Sequence, residues 1–198
     1  MSKRLPNSTL FAYGVSDLPV MFASMPMMLY LNNFYASDIG IPLMQLANLL
    51  LIARVFDLIT DPLVGYLSDH TRTRWGRRKP WMVASLPFLM LGLYKALIPD
   101  EGADIWYVFT WLMVMWLGWT MLMIPYYAWG AELTTDYDDR TRVTGWRAAM
   151  GSVGSLLSIT IPVAGIIWFG LDGIAGIMRL TAIVALILIP AAVLYTVA

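Results

Sequence analysis

Arg54, Asp57 and Asp61 are three charges inside an otherwise apolar run of membrane length. On a helix, spacings of three and four residues put all three on one face. At a bilayer centre each costs about 2.5–3.5 kcal/mol on insertion scales, so a segment that keeps them has partners or a task for them. The task these residue types suit is binding a small cation. If Arg54 pairs with the acids, the trio carries a net charge of minus one, which a single monovalent cation or a proton neutralises. Pro62, directly after Asp61, removes a backbone donor and frees the Leu58 carbonyl, adding another oxygen nearby. The bland alternative is an Arg54–Asp57 pair that ties this helix to its neighbours, with Asp61 buried and protonated.

The elements that must position these residues are legible in the composition. The chain has 198 residues, 59% hydrophobic and only 13% charged, with nine Trp and no Cys, and a mean hydropathy of +0.67. Such a balance belongs to a multi-span membrane protein. A net charge of zero excludes a strongly basic nucleic-acid binder, and the lack of cysteine excludes a disulfide framework or thiolate metal site. Six apolar segments follow at roughly 10–36, 42–69, 80–99, 104–133, 142–169 and 173–198, each near or above the ~20 residues a span needs. The second is about 42 Å long as a helix, with its midpoint at residues 55 and 56, so Asp57 lies near the midplane and Asp61 one turn beyond. A secretory signal peptide is the wrong reading of the basic start, because Asp17 and Pro19 interrupt the apolar run and no small-residue cleavage site follows.

Ten of the thirteen Lys and Arg fall on one side of these segments: Lys3, Arg4, Arg72, Arg74, Arg77, Arg78, Lys79, Arg140, Arg142 and Arg147. The opposite connections carry Asp38, Asp100, Glu101, Asp104 and Asp172. The positive-inside rule therefore predicts an inner or plasma membrane protein with a cytoplasmic N-terminus. Lys95 and Arg179, near the outer ends of the third and sixth segments, are expected to snorkel to the interface. Trp75, Trp81, Trp106 and Tyr107 fit interfacial anchors. The fifth segment pairs Ala148 with Ser152 and Gly151 with Ser155, spacings that allow close helix packing. His70 is expected to be a solvated surface residue. No nucleotide loop, zinc spacing or catalytic triad appears, so no enzyme activity and no cofactor are expected.

Two long stretches then carry a resemblance. DPLVGYLSDHTRTRWGRRKPW, Asp61 to Trp81, and IPYYAWGAELTTDYDDRTRVTGWR, residues 124 to 147, resemble the loop after helix 2 and the end of helix 4 in the glycoside–pentoside–hexuronide cation symporters. That family is a branch of the major facilitator superfamily and includes the melibiose carrier. The resemblance covers nearly the whole chain but only the N-terminal half of a twelve-helix family. It implies an all-α polytopic bundle of six transmembrane helices, residues 1–198, with the C-terminal bundle absent.

By position, the resemblance implies cation ligands at Asp57, Asp61, Thr60 and Thr120. All four are oxygen donors suited to sodium, and the same carboxylates suit a proton or lithium. The family's two sugar-binding acids fall on Met21 and Met123 here, so α-galactoside recognition is not implied. Trp119 and Tyr127 stand at an aromatic pair near the sugar, and Arg147 approximates the family's arginine at the start of helix 5. Asp17, on a face with Gly14 and Met21, and Arg54 join them as candidate solute contacts. In the superfamily an aspartate ending helix 2 and the arginines after it form charge pairs that break and reform as the two halves rock. Asp69, Arg72, Arg77 and Arg78 are the matching residues, with Asp136, Asp139 and Arg140 as expected cytoplasmic partners. The plainer reading is that these charges fix orientation and touch lipid headgroups.

The function expected is half of a secondary active transporter, coupling a cation held by the second segment's acids to a sugar or glycoside by alternating access. The chain ends at TVA inside or just after the sixth segment, so a fragment needing a C-terminal partner bundle is expected. The partners implied are a small solute, the lipid bilayer and that missing bundle, with no nucleic acid. The alternatives are a non-transporting membrane module and a carrier of a lipid-like, non-sugar solute.

Overall fold

Prolines, glycines and capping carboxylates decide where each helix of this chain starts, bends and stops. The computed structural model describes residues 4–171 and 173–198. Lys3 and Asp172, counted in the charge pattern above, lie outside them. The first crossing, Asn7–Asp38, is built of α1 (Asn7–Gly14), α2 (Asp17–Asn33) and a π-helical turn over Phe34–Asp38. Pro19 has no N–H to give the Val15 carbonyl, and the helix breaks at Val15 and Ser16. At the π turn Tyr35 enters the core, where its hydroxyl donates to the Ala96 carbonyl at 2.6 Å.

The remaining helices are α3 (Leu43–His70), α4 (Lys79–Leu97), α5 (Ile105–Glu132), α6 (Tyr137–Phe169) and α7 (Gly173–Val197). With Asn7–Asp38, six helices among the described residues are long and apolar enough to cross a membrane, and those residues include no strand. The fold is an all-α polytopic bundle. Asp104 caps α5 by accepting from the Tyr107 N–H at 2.8 Å. Asp136 caps α6, accepting from the N–H groups of Asp138 at 3.0 Å and Asp139 at 3.2 Å. That cap starts α6 at Tyr137 and not at residue 142, where the apolar pattern begins, since a polar first turn is held by its cap and is invisible to hydropathy. Gly170, left-handed at φ 62°, ends α6.

Helix packing rests on close backbone approach, as expected where lipid removes the hydrophobic drive between helices. A Cβ on Gly92 would sit 2.5 Å from Met115 Cα, and one on Gly118 would sit 2.5 Å from the Leu89 nitrogen, so α4 and α5 meet backbone to backbone. A second seam joins α2 to α6, where Gly154 lies against the Leu18 carbonyl and Gly151 against the Asp17 carboxylate. The seam therefore uses Gly151 and Gly154, whereas Ala148 and Ser152 are exposed. Tyr13 and Tyr126 lock α1 to α5: their rings stack 4.7 Å apart, the Tyr126 hydroxyl donates to Tyr13 O at 2.8 Å, and the Tyr13 hydroxyl donates to Tyr126 O at 3.3 Å. α7 closes the bundle through the Ser16 and Thr196 hydroxyls, 2.7 Å apart. Thr196 also lies 2.7 Å from the Ala12 carbonyl.

α3 leans chiefly on α5 and leaves Leu51, Val55, Leu58 and Ile59 exposed; α6 likewise shows Leu156, Ile159 and Ile167. Apolar faces of this extent call for lipid or an apolar partner. At the acid-rich end Lys95 donates to Asp100 Oδ2 at 2.7 Å, and this bond holds the Asp100 carboxyl below the usual carboxylate range. His70, at the basic end, is exposed, with Nδ1 2.8 Å from the Tyr66 carbonyl.

Candidate cation and solute site

One continuous helix, α3, carries Arg54, Asp57, Thr60 and Asp61, and Pro62 sits inside that helix without ending it. Arg54 Nη1 lies 3.6 Å from Asp57 Oδ2; the arginine side chain is 82% exposed and the aspartate 22%. Asp61 is half-buried and accepts a hydrogen bond from Thr120 Oγ1 at 2.9 Å. That bond ties α3 to α5 and joins two of the four expected cation ligands, with Asp57 one helical turn away on α3. Thr60 is buried, and its hydroxyl donates to the Phe56 carbonyl at 3.0 Å within its own helix. The group thus offers two carboxylates a turn apart and a threonine oxygen, hard ligands of the kind that hold an unpolarisable cation. The Asp57 carboxylate sits among charges, with Asp61 and Arg54 as its electrostatic neighbours.

A second group forms where α1, α2, α5 and α6 meet. Arg147 stacks over the Tyr127 ring with its guanidinium carbon 4.5 Å from the centroid, a cation–π arrangement. A recess of about 180 Å³ is lined by Tyr13, Tyr127, Gly130, Arg140, Thr144 and Arg147, among others. Asp17 is 5% exposed, its charged neighbour is Arg147, and its Oδ1 is buried without a hydrogen-bond partner. The structure thereby brings Asp17, Tyr127 and Arg147 together. Arg54 stands apart from them beside the α3 acids, and Trp119 is half-buried against the core. Met21 packs near Gly151, and Met123 is buried.

The basic end pairs differently from the expectation. Arg78, with a side chain only 9% exposed, bridges Asp69 and Glu132 Oε1, the latter at 3.1 Å, and donates to Ser68 Oγ at 2.8 Å. Arg77 reaches the same Glu132 at 3.2 Å. Arg72 is exposed. Asp136, Asp139 and Arg140, expected as partners of this group, are occupied elsewhere. Asp136 caps α6, Arg140 Nε donates to the Thr134 carbonyl at 3.1 Å, and Asp139 accepts from Arg142 at 2.6 Å and from the Leu5 N–H at 3.0 Å. The partner that sequence reasoning missed is Glu132. It lies inside the second family-like stretch, but its position at the last turn of α5 facing the α3–α4 loop is visible only in three dimensions. Tyr13 and Tyr126 were missed for a similar reason, since an aromatic near a helix end reads as an interfacial anchor.

The model of the family described as "MFS/sugar transport protein" matches residues 12–198. An uncharacterized symporter of Synechocystis sp., sll1374, is 36% identical over 169 residues, 81% of this chain and 31% of that protein. The isoprimeverose transporter of Lactiplantibacillus pentosus is 28% identical over 171 residues, 84% of this chain and 35% of that protein. The sodium-dependent lysophosphatidylcholine symporter 1-B of Danio rerio is 33% identical over 135 residues, 66% of this chain and 24% of that protein. The matches span about a third or less of the length of these relatives, which are transporters and not enzymes. Residue pattern, six-helix architecture and family match agree: this chain belongs to the MFS/sugar transport family, in its glycoside–pentoside–hexuronide cation symporter branch.

Proposed function

We propose that this chain is the first six-helix bundle of a cation-coupled symporter for a sugar or glycoside. The observation that carries the reading is the Thr120–Asp61 hydrogen bond at 2.9 Å, set one turn from the Arg54–Asp57 pair. It gives Asp61 a fixed oxygen partner on α5, one turn from Asp57. In this reading Asp57, Asp61 and Thr120 hold the cation, with Thr60 supporting from behind and Arg54 setting the net charge. Sodium is the favoured ion, supported by the sodium-dependent relative; a proton or lithium uses the same carboxylates. Tyr127 and Arg147 form the solute face, with Asp17 behind them and Trp119 on the same helix as Tyr127. Cation binding lowers the free energy of solute binding, and the solute raises cation affinity by the same factor.

The basic end faces the cytoplasm by the positive-inside rule. Its Asp69–Arg78–Glu132 cluster serves as the gate, with Arg72 and Arg77 as exposed members that change partners when this bundle rocks against a second one. Asp136, Asp139 and Arg140 steady the start of α6 and the N-terminal segment beside it. A lipid-like solute is the second reading, supported by methionines at positions 21 and 123 and by the lysophosphatidylcholine relative.

The test is uptake of labelled glycosides, hexuronides and lysolipids by proteoliposomes holding this chain together with a second six-helix bundle. An inward sodium gradient is expected to raise accumulation of one solute class, and Asp57→Asn to abolish that rise. Accumulation indifferent to sodium and to pH contradicts coupling, and the absence of any uptake favours a non-transporting module.

A further inference from the structure

Asp17 is the one described side chain with a buried polar atom that has no hydrogen-bond partner. It lies at the first turn of α2, 5% exposed, with its other oxygen turned toward Gly151, where a Cβ would sit 2.6 Å away. A glycine at 151 is what gives the carboxyl its room. The groups near it come from α1, α5 and α6. α1 presents the Tyr13 hydroxyl, already given to the Tyr126 carbonyl. α5 presents Tyr126, given to the Tyr13 carbonyl, and Tyr127. α6 presents Arg147, while α7's Thr196 is held by Ser16 and the Ala12 carbonyl. Arg147 is the one cation among them, and it forms no ion pair with Asp17 among the described residues, because its guanidinium lies over the Tyr127 ring.

An ionised carboxylate in this place has one oxygen without a donor and no paired charge, an arrangement proteins avoid by neutralising the group or pairing it. Both remedies are at hand. A proton neutralises the acid in the arrangement observed, and a rotation of Arg147 off Tyr127 pairs it. We propose that Asp17 is a proton-binding site, separate from the α3 acids, whose occupancy decides whether Arg147 stays stacked on Tyr127 or turns to pair with Asp17. With the proton bound, Arg147 lines the recess beside Tyr127. With the proton lost, the guanidinium is drawn back toward α2 and the solute face is dismantled. The proposal rests on the reading of Tyr127 and Arg147 as that face, and it makes Asp17 a positioning residue.

The experiment is thermal melting of the chain in detergent from pH 5 to pH 9, in choline without sodium, for the wild type, Asp17→Asn and Asp57→Asn. The wild type is expected to lose stability as pH rises. Asp17→Asn, a fixed mimic of the protonated acid, is expected to lose that dependence, and Asp57→Asn to keep it. Equal pH slopes in the wild type and Asp17→Asn overturn the proposal. Should Asp17→Asn fail to fold, the infrared spectrum of Asp57→Asn/Asp61→Asn at neutral pH decides. Asp17 is then the remaining acid within the membrane-spanning core, and a protonated carboxylic acid band is expected; its absence overturns the proposal. Sodium stabilisation lost in Asp57→Asn but kept in Asp17→Asn separates failure of this proposal from failure of the cation site.

Discussion

Two threonines flank the α3 acids, and their hydrogen bonds give them unequal roles. Thr120 donates across helices to Asp61, while Thr60 donates to its own helix at Phe56. Bonds to charged groups are worth about 1.5–3 kcal/mol, so Thr120→Val is expected to weaken sodium binding by at least about tenfold, the equivalent of ~1.4 kcal/mol. Thr60→Val should have a smaller effect, and calorimetric titration of both variants checks the order. At the basic end, Glu132 accepts from both Arg77 and Arg78 while Asp69, among the described residues, pairs with Arg78. Arg78 is nearly buried but its acids are half-exposed, so solvent screening limits the cost of breaking one contact to about 1–2 kcal/mol. Glu132→Gln should lower the melting temperature accordingly and alter a gating readout more than Asp139→Asn does, because Asp139 is bound to Arg142 and Leu5 and not to Arg77 or Arg78. The acids at 57 and 61 were legible from sequence because a charge in an apolar span announces itself. Glu132 was not, since a glutamate at a helix end is chemically unremarkable until the loop it meets is known.

Among the elements, α6 shows how little of a helix its hydropathy describes. Its apolar run predicts a start at residue 142, yet Asp136 caps it at Tyr137, and its close-packing residues are Gly151 and Gly154 against α2. Ala148 and Ser152 read equally as a small-residue pair on paper but face outward, because the direction of a small-residue stripe depends on which helix arrives there. Gly154→Ala places a methyl into the Leu18 carbonyl and is expected to destabilise the bundle by about 1–3 kcal/mol. Gly145→Ala, where a Cβ meets nothing within 4 Å, is expected to be neutral or to stabilise by about 0.5–1 kcal/mol through helix propensity. Paired melting curves distinguish the two. The segment 10–36 reads as one continuous helix, so the break at Val15 and Ser16 was missed although Pro19 explains it, and the π turn at Phe34–Asp38 left no signal, since it contains neither proline nor glycine.

At the scale of the whole molecule, the six spans were legible because a bilayer forces every crossing to be a long apolar helix. The resemblance already grouped Asp17, Tyr127 and Arg147 as candidate solute contacts; that Arg54, grouped with them, stands apart from them beside Asp57 on α3 was not legible, because it depends on how α3 packs in three dimensions. The bundle that results holds both α3 acids and the α5 threonine bonded to Asp61 within one packed unit, so the proposed cation site needs no second bundle to assemble it. A ligand that binds only the folded form at a hundred times its dissociation constant stabilises that form by about 2.7 kcal/mol. The measurement that tests the central claim most directly is melting temperature of the purified chain in detergent against sodium concentration, with choline holding ionic strength constant and Asp57→Asn alongside. The account predicts a saturable upward shift of several degrees that is lost in Asp57→Asn. A sodium response equal in the wild type and the mutant would contradict it, as would no response to sodium, lithium or pH.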